Sequence, residues 1–403
     1  MIKRPVPDTK TFEPYLSLYR AQLRAQRYSE STRHSYHRCV AHFVYWVAQT
    51  HIHPQQINEG TIREFLIEHL AHCGCPFVIR RSAHENRAAL HLFLEVLPPS
   101  KVASSNPIGR ELAEFDAYME RTCGLARNTR YQRTGIVRRF LTHQFGSGAI
   151  DLSRVTPAAL RRFVLGGQGE RTPGTIHVFR GALACYLRFR SIRGCRVAHL
   201  VSALPSVANW RLATLPEVLS EDEIQQVLDS FQRLTHSPKR AYAMARCLID
   251  LGLRANEVAN LHLDDLDWRA STIRLSPGKS RRADILPLPA ETGAAIADYI
   301  RSERPQSSNR ALFVRHVAPY DKPILAGVVR RAIREAYQRC SWSRTRVHIL
   351  RHTIASRLLQ AGTPLKEIAD LLRHRSLDSS FIYTKVDLKR LSAVAMPWPG
   401  RSL

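Results

Sequence analysis

HILRHTIASRLLQAGTPLKEIADLLRHRSLDSSFIYTKVD, residues 348–387, holds His348, Arg351, His374 and Tyr383 at definite intervals. Its apolar residues recur at steps of three and four, so the stretch reads as a series of helices. His348 and Arg351 then lie one turn apart on one helical face. Periodicity accounts for the leucines and isoleucines but not for the four polar groups. A histidine can move a proton near neutral pH, an arginine offers a planar donor fork, and a tyrosine hydroxyl can attack an electrophile.

Two upstream stretches add to the set. In LIDLGLRANEVANLHLDDLDW (248–268), Arg254 follows a Leu-Gly-Leu break, with Glu257 as its i,i+3 neighbour if a helix restarts there. In TIRLSPGKSRRADILPLP (272–289), two short strands flank a Pro277-Gly278 turn that raises Lys279 on a hairpin rim. Arg254 and Arg351 suit the non-bridging oxygens of a phosphodiester and the added charge of its pentacoordinate transition state. Lys279 could protonate a leaving oxygen, and Tyr383 could attack phosphorus to form a covalent phosphoester that conserves bond energy. No acidic cluster for a divalent metal accompanies them. Each residue alone has a plainer role: His374 as a helix-end cap, Glu257 as a surface ion pair, His352 as an internal hydrogen-bonding group.

The ordered set LGLRANE, SPGKS, HILRH, LRH and Tyr383 resembles the catalytic domain of the tyrosine recombinase (phage integrase) family over about residues 215–392. The resemblance implies Tyr383 as the nucleophile that leaves a 3′-phosphotyrosyl link. It implies Arg254 and Arg351 on the scissile phosphate, and Lys279 as the acid for the 5′-oxygen. His348 would assist proton transfer with Tyr383, and His374 would donate to a phosphate oxygen. Glu257 and His352 would support these groups. The expected activity is site-specific DNA strand breakage and rejoining, of the kind carried by mobile elements such as insertion elements or plasmids. The alternatives are a noncatalytic DNA-binding accessory protein and a type IB topoisomerase-like relaxing enzyme. Three positions depart from the family pattern: Arg373 replaces a glycine before His374, Ser280 replaces one after Lys279, and Leu251 stands where a small polar residue is common.

Upstream, the sequence contains a diverged repeat. STRHSYHRCVAHFVYWV, INEGTIREFL and NRAALHLFLEVL are followed by NTRYQRTGIVRRFLTHQF, VTPAALRRFV and GTIHVFRGALACYLRF. Thr32 aligns with Thr129, Phe43 with Phe140, and Phe65 with Phe163. Asn58 and Thr156 are placed to cap the second helix of each copy. Ser220 and Glu223 form a capping-box pattern at the start of the C-terminal half. The expected fold is mainly α with a small antiparallel β-sheet in a C-terminal catalytic domain (220–392). A linker (201–219) precedes it. The helical core-binding domain spans 112–200, and a helical arm or additional core-binding-like domain spans 10–97.

Composition agrees with this partner. The 403 residues carry 60 Lys+Arg against 34 Asp+Glu, a formal net charge of +26, which favours a polyanion such as double-stranded DNA. No apolar run approaches the about 18 residues of a spanning helix, and no signal peptide is visible, so a cytoplasmic, DNA-associated protein without a membrane partner is expected. Exchange between two duplexes implies a dimer on each core site and a tetramer in the synapse. The eight cysteines are too few and scattered for a disulfide scaffold. Cys73 and Cys75 form a C-x-C beside His72, for which His69 or His84 could complete a zinc site. That spacing is tighter than usual, and neither a metal nor any other cofactor is expected.

Overall fold

The computed structural model describes residues 9–75, 82–98, 107–146, 148–166, 171–208, 216–233, 236–275, 284–374 and 380–384. The chain divides into two compact units. One comprises residues up to Tyr19 and Ser35–Arg211, the other Arg20–His34 and Leu212 onward. Among the described residues the fold is mainly helical, with one three-stranded antiparallel sheet.

The first unit contains α1 (Glu13–Ala25, in part), α2 (Glu30–Gln49, in part), α3 (Glu59–Glu64) and α4 (Leu70–His72), with a π turn at Phe65–His69 between the last two. After it come α5 (Ala83–Leu94), α6 (Pro107–Arg121), α7 (Arg127–Phe145), α8 (Pro157–Leu165), α9 (Pro173–Ile192) and α10 (Ala198–Ser202). The sequence repeat is a structural repeat. Phe43 meets Phe65 edge-on at 5.2 Å between ring centroids, and Phe140 meets Phe163 edge-on at the same 5.2 Å. Tyr19 packs edge-on against Phe93 at 5.6 Å in the first copy, as Phe115 packs edge-on against Tyr186 at 5.4 Å in the second. Such edge-to-face pairs set the positive rim of one ring against the negative face of another. Asn58 Oδ1 accepts from the Gly60 and Thr61 amides, and Thr156 Oγ1 from the Ala159 amide, so both expected caps are present. The copies differ in their buried polar groups. In the second, Glu111 accepts from Tyr186 Oη at 2.8 Å and from Arg190 Nη1 at 2.9 Å.

The second unit contains α11 (Glu221–Ser230), α12 (Pro238–Ile249), α13 (Ala255–Ala259) and the strands β1 (Leu266–Asp267), β2 (Thr272–Leu275) and β3 (Asp284–Pro287). α14 (Ala290–Ser302), α15 (Ala326–Arg339), α16 (His348–Gln360), α17 (Leu365–Leu371) and α18 (Phe381–Thr384) follow. The Ser220–Glu223 capping box forms in both directions, at 3.1 and 2.9 Å. Leu219 just before it is buried, and its amide donates to Thr353 Oγ1 of α16 at 2.9 Å. The end of the linker is therefore fastened to the helix that opens with His348. In the sheet, Ile273 faces Leu286 and Arg274 faces Ile285. Ile273 and Leu286 bury against the helices while Arg274 and Ile285 face outward, the alternation expected of a sheet with one covered face. The turn that carries Lys279 and Ser280 lies outside the described residues.

Candidate active site

Arg254 owes its place to Gly252. The chain leaves α12, turns at Gly252 with φ +59°, and re-enters a helix at α13 with Arg254 as its N-cap residue. A Cβ on Gly252 would lie 2.8 Å from Leu372 Cδ2 and 3.0 Å from Ile354 Cγ2, in a backbone conformation that L-residues resist. Gly252→Ala should therefore lower stability by about 2–4 kcal/mol through backbone strain and overpacking. Urea unfolding measures this, and an unchanged midpoint would contradict the close approach.

Glu257 organises the cations around it. Its Oε1 accepts from Arg254 Nη1 at 2.8 Å, and its Oε2 accepts from the Arg254 amide at 2.7 Å. The same Oε2 pairs with Arg373 Nη2. Arg373 Nε stands 3.9 Å from Asp284 Oδ2 at the start of β3. Arg254 Nη2 reaches the Arg373 carbonyl at 3.4 Å, and the Arg254 side chain keeps 38% of its surface exposed.

The glycine that Arg373 replaces has a local explanation. The Arg373 amide donates to Asp370 O at 2.9 Å and the His374 amide to Ala369 O at 2.8 Å, which together close α17 as a Schellman motif. The residue at that position takes a left-handed conformation, and Arg373 does so with φ +52°. This costs a non-glycine residue about 1 kcal/mol. The ion pair with Glu257 is the compensation visible on the side-chain end, and it turns the guanidinium away from solvent.

Arg351 is the buried cation of the site, 3% exposed. Its Nη1 donates to the Gly252 carbonyl at 2.5 Å and its Nη2 to the Leu372 carbonyl. One side chain of α16 thus ties the α12–α13 turn to the end of α17. Burial, then the nearby Arg254 guanidinium, pulls Arg351 down to about 9, still protonated at neutral pH.

The tyrosine side of the site is made by α18. Tyr383 is buried, and its hydroxyl shares a 3.1 Å hydrogen bond with Nδ1 of His352. His348 is not the ring on the hydroxyl; it packs edge-on against His352 at 5.4 Å between centroids. The His374 ring lies nearly parallel to Tyr383 at 6.3 Å, and its Nδ1 shares a 2.6 Å hydrogen bond with Ser380 Oγ. Ser380 carried no motif signal in the sequence; its carbonyl also accepts from the Tyr383 amide. Burial raises the Tyr383 phenol above its usual range, against the pull of Arg351 and Arg254. Burial, then Arg351 and Arg346, lowers His352. His374 falls to about 4, by burial first and then by Arg351 and Arg254; His348 is lowered too, by partial burial and then by His352 and Arg351. The result is a protonated phenol beside neutral imidazoles, in a field set by arginines. Such a field is unfavourable to itself until an anion enters it.

Arg254, Glu257, His348, Arg351, His352, His374 and Tyr383 therefore converge from α13, α16, the end of α17 and α18. Among the expected site residues, Lys279 falls outside the described residues.

The phage integrase family signature matches residues 217–390, and that of the N-terminal SAM-like domain of phage integrases matches residues 16–97. A putative integrase/recombinase, y4rA of Sinorhizobium fredii, is 32% identical over 374 residues, covering 90% of this chain and 88% of its own. The fold is also that of a XerH site-specific recombinase bound to a palindromic difH substrate. That match has a TM-score of 0.54 and 20% identity, over 75% of this chain and 92% of the other. A lambda integrase dimer bound to a COC′ core site matches with a TM-score of 0.54 and 14% identity, over 73% and 98% of the two chains. The chain belongs to the phage integrase family, the tyrosine-type site-specific DNA recombinases. No described helix is long and apolar enough to cross a membrane.

Proposed function

We propose that this recombinase cleaves double-stranded DNA through Tyr383 and rejoins it to a partner strand. The observation that carries the assignment is the buried Tyr383 hydroxyl on His352 Nδ1, within the field of Arg351 and Arg254. A phosphodiester entering there meets the fork of Arg254, with Arg351 held behind it by two backbone carbonyls. Tyr383 Oη forms a bond to phosphorus as its proton passes to a neutral imidazole, His352 by its position, with His348 alongside. The bond to the 5′-oxygen breaks, Lys279 supplies the proton to that oxygen, and His374 donates to a non-bridging oxygen. A 5′-hydroxyl from the partner duplex then reverses the step, so ligation needs no external energy source. Glu257 orients Arg254.

The catalytic domain is 220–392, the core-binding domain 112–200 and the linker 201–219. The unit at 10–97 extends the contact with DNA; its match to the SAM-like domain supports a DNA-binding role for that copy as well. Two chains on a core site and four in a synapse follow from one nucleophile per chain and four strands to exchange. The lambda integrase dimer on its core site supports the first of these numbers. The protein acts where the DNA is, on the nucleoid, in the transposition or integration of a mobile element.

The test is a nicked substrate drawn from the flanks of the gene, which traps the covalent intermediate. Peptide mapping should place the DNA on Tyr383. Adduct on another tyrosine overturns the assignment, and no adduct on DNA that the protein binds specifically favours an accessory role. Relaxation of a single supercoiled duplex without joining of two sites would point to topoisomerase-like activity.

Binding itself should be strongly salt-dependent. With a net charge of +26, phosphate contacts release counterions. For about 6–10 such contacts, affinity should fall by about 10³–10⁵ between 50 and 200 mM salt. Fluorescence anisotropy across a salt series measures the slope, and a flat response is incompatible with a backbone clamp.

A further inference from the structure

In the first helical copy, far along the sequence from the catalytic motifs, four side chains meet that the recombination chemistry does not use. They are His42 of α2, His69 at the end of the π turn, and Cys73 and Cys75 just beyond α4. Their candidate ligand atoms all lie within 4.8 Å of one another. His42 Nε2 is 3.1 Å from His69 Nε2, and Cys75 Sγ is 3.5 Å from the same nitrogen.

These separations can be compared with a tetrahedral zinc centre. Zn–N bonds of about 2.0–2.1 Å and Zn–S bonds of about 2.3 Å give tetrahedral edges of about 3.3 Å for N···N and about 3.5 Å for N···S. The 3.1 Å and 3.5 Å separations fall close to these two edges. The donor set is two thiols and two imidazoles, the combination of structural zinc sites, and it contains no hard oxygen donor suited to magnesium or calcium. His42 is 1% exposed and Cys73 9%, while His69 and Cys75 are half-buried, so the site is withdrawn from water on the His42 and Cys73 side.

The local backbone supports the same conclusion. A π turn inserts one residue into the helical register and recurs at functional positions. Here it carries His69 at its end, toward His42. The second copy offers an internal comparison. Since Phe43 corresponds to Phe140, His42 corresponds to Arg139. There the matching corner is closed by Arg171, whose Nη1 bonds the Phe163 and Val164 carbonyls and whose guanidinium stacks 3.8 Å over Phe179, with Arg139 on the same ring. The first copy has histidines and cysteines in place of that arginine closure.

We infer that His42, His69, Cys73 and Cys75 bind one zinc ion that fastens the end of the α3–α4 segment to α2 in the N-terminal unit. The spacing C-x-C alone gave no such site, because His42 lies 31 positions before Cys73. His72 and His84, its neighbours in sequence, are exposed and take no part.

The 403-residue chain, produced in zinc-supplemented medium and purified without chelators, should contain one zinc per chain by elemental analysis. X-ray absorption should show two sulfurs at about 2.3 Å and two nitrogens at about 2.0–2.1 Å. Cobalt exchange should give the intense visible bands of a tetrahedral site and a thiolate charge-transfer band. Cys75→Ser, at a partly exposed position, should weaken metal binding by more than about 100-fold, beyond the usual loss for an outer-shell change. H72A and H84A should bind like the parent. A metal-free protein that takes up cobalt only in octahedral form overturns the proposal, as does a Cys75→Ser protein whose charge-transfer band and cobalt affinity are both undiminished. Both readouts are independent of strand cleavage, so they stand apart from the recombinase assignment.

Discussion

Tyr383→Phe should abolish covalent attachment to nicked DNA, with strand cleavage down by on the order of 10⁴-fold or more, while specific binding is retained. The substitution removes one oxygen and leaves the ring, which is buried in the cluster with Leu359, Ile368 and Leu372. The lost hydroxyl is hydrogen-bonded to His352 Nδ1 alone among the described partners. Folding should therefore change by about 1 kcal/mol, the worth of one such bond. Companion substitutions separate the two imidazoles. His352→Ala should slow single-turnover cleavage by about 10²–10⁴-fold, the usual range for a general base. His348→Ala should cost less, because its ring contacts His352 rather than the hydroxyl. A reversed order in single-turnover rates would return the proton acceptor to His348. Because His352 is lowered by burial and by Arg351, cleavage limited by its neutral form should hold level through neutral pH and decline on the acid side.

Arg351→Ala should be damaging twice over. It removes a buried guanidinium whose two arms hold the Gly252 and Leu372 carbonyls. Each carbonyl left unpaired costs about 1–3 kcal/mol, so stability should fall by about 3–5 kcal/mol and the site should loosen where α13 and the end of α17 meet. Loss of charge at the phosphate should reduce cleavage by a further 10²–10³-fold, roughly the effect of deleting one preorganised donor. Arg351→Lys separates these effects: it keeps the charge but has no planar fork to span both carbonyls. Chemical denaturation and single-turnover cleavage on nicked DNA measure the two losses independently. A 5′-bridging phosphorothiolate, whose sulfur leaves without a proton, should rescue Lys279→Ala but neither Arg351 variant. Full stability in Arg351→Ala would show that the two carbonyl contacts contribute nothing to the fold.

Much of the architecture was legible because it is written in local rules. Asn58, Thr156 and Ser220 are polar residues one position before apolar periodicity begins, and all three cap helices. The repeat was visible as Phe43/Phe140 and Phe65/Phe163, and those residues form equivalent edge-on pairs. The glycine-to-arginine change at 373 could be seen but not interpreted in sequence. Its meaning depends on a left-handed φ and on a carboxylate 116 positions earlier, Glu257. Ser380 was missed because a serine near a short helix is among the least distinctive features a sequence can hold, yet it is the residue on which His374 rests.

By itself the sequence determined that this chain is mainly helical with a small sheet, that its N-terminal region is a duplicated bundle, and which family the ordered motif LGLRANE, HILRH, LRH and Tyr383 belongs to. Those properties follow from spacing, and spacing survives in a linear string. Tertiary structure decided what spacing leaves degenerate. His348 and His352 lie four residues apart on one face of α16, so helical periodicity treats them as equals; only the packing of α18 brings the Tyr383 hydroxyl to His352. Glu257 serves Arg254 by sequence proximity but Arg373 only because the α12–α13 turn meets the end of α17. His42 joins His69, Cys73 and Cys75 for the same reason: a ligand set is a matter of distances between atoms, and separate helices bring those atoms together only when their apolar faces pack.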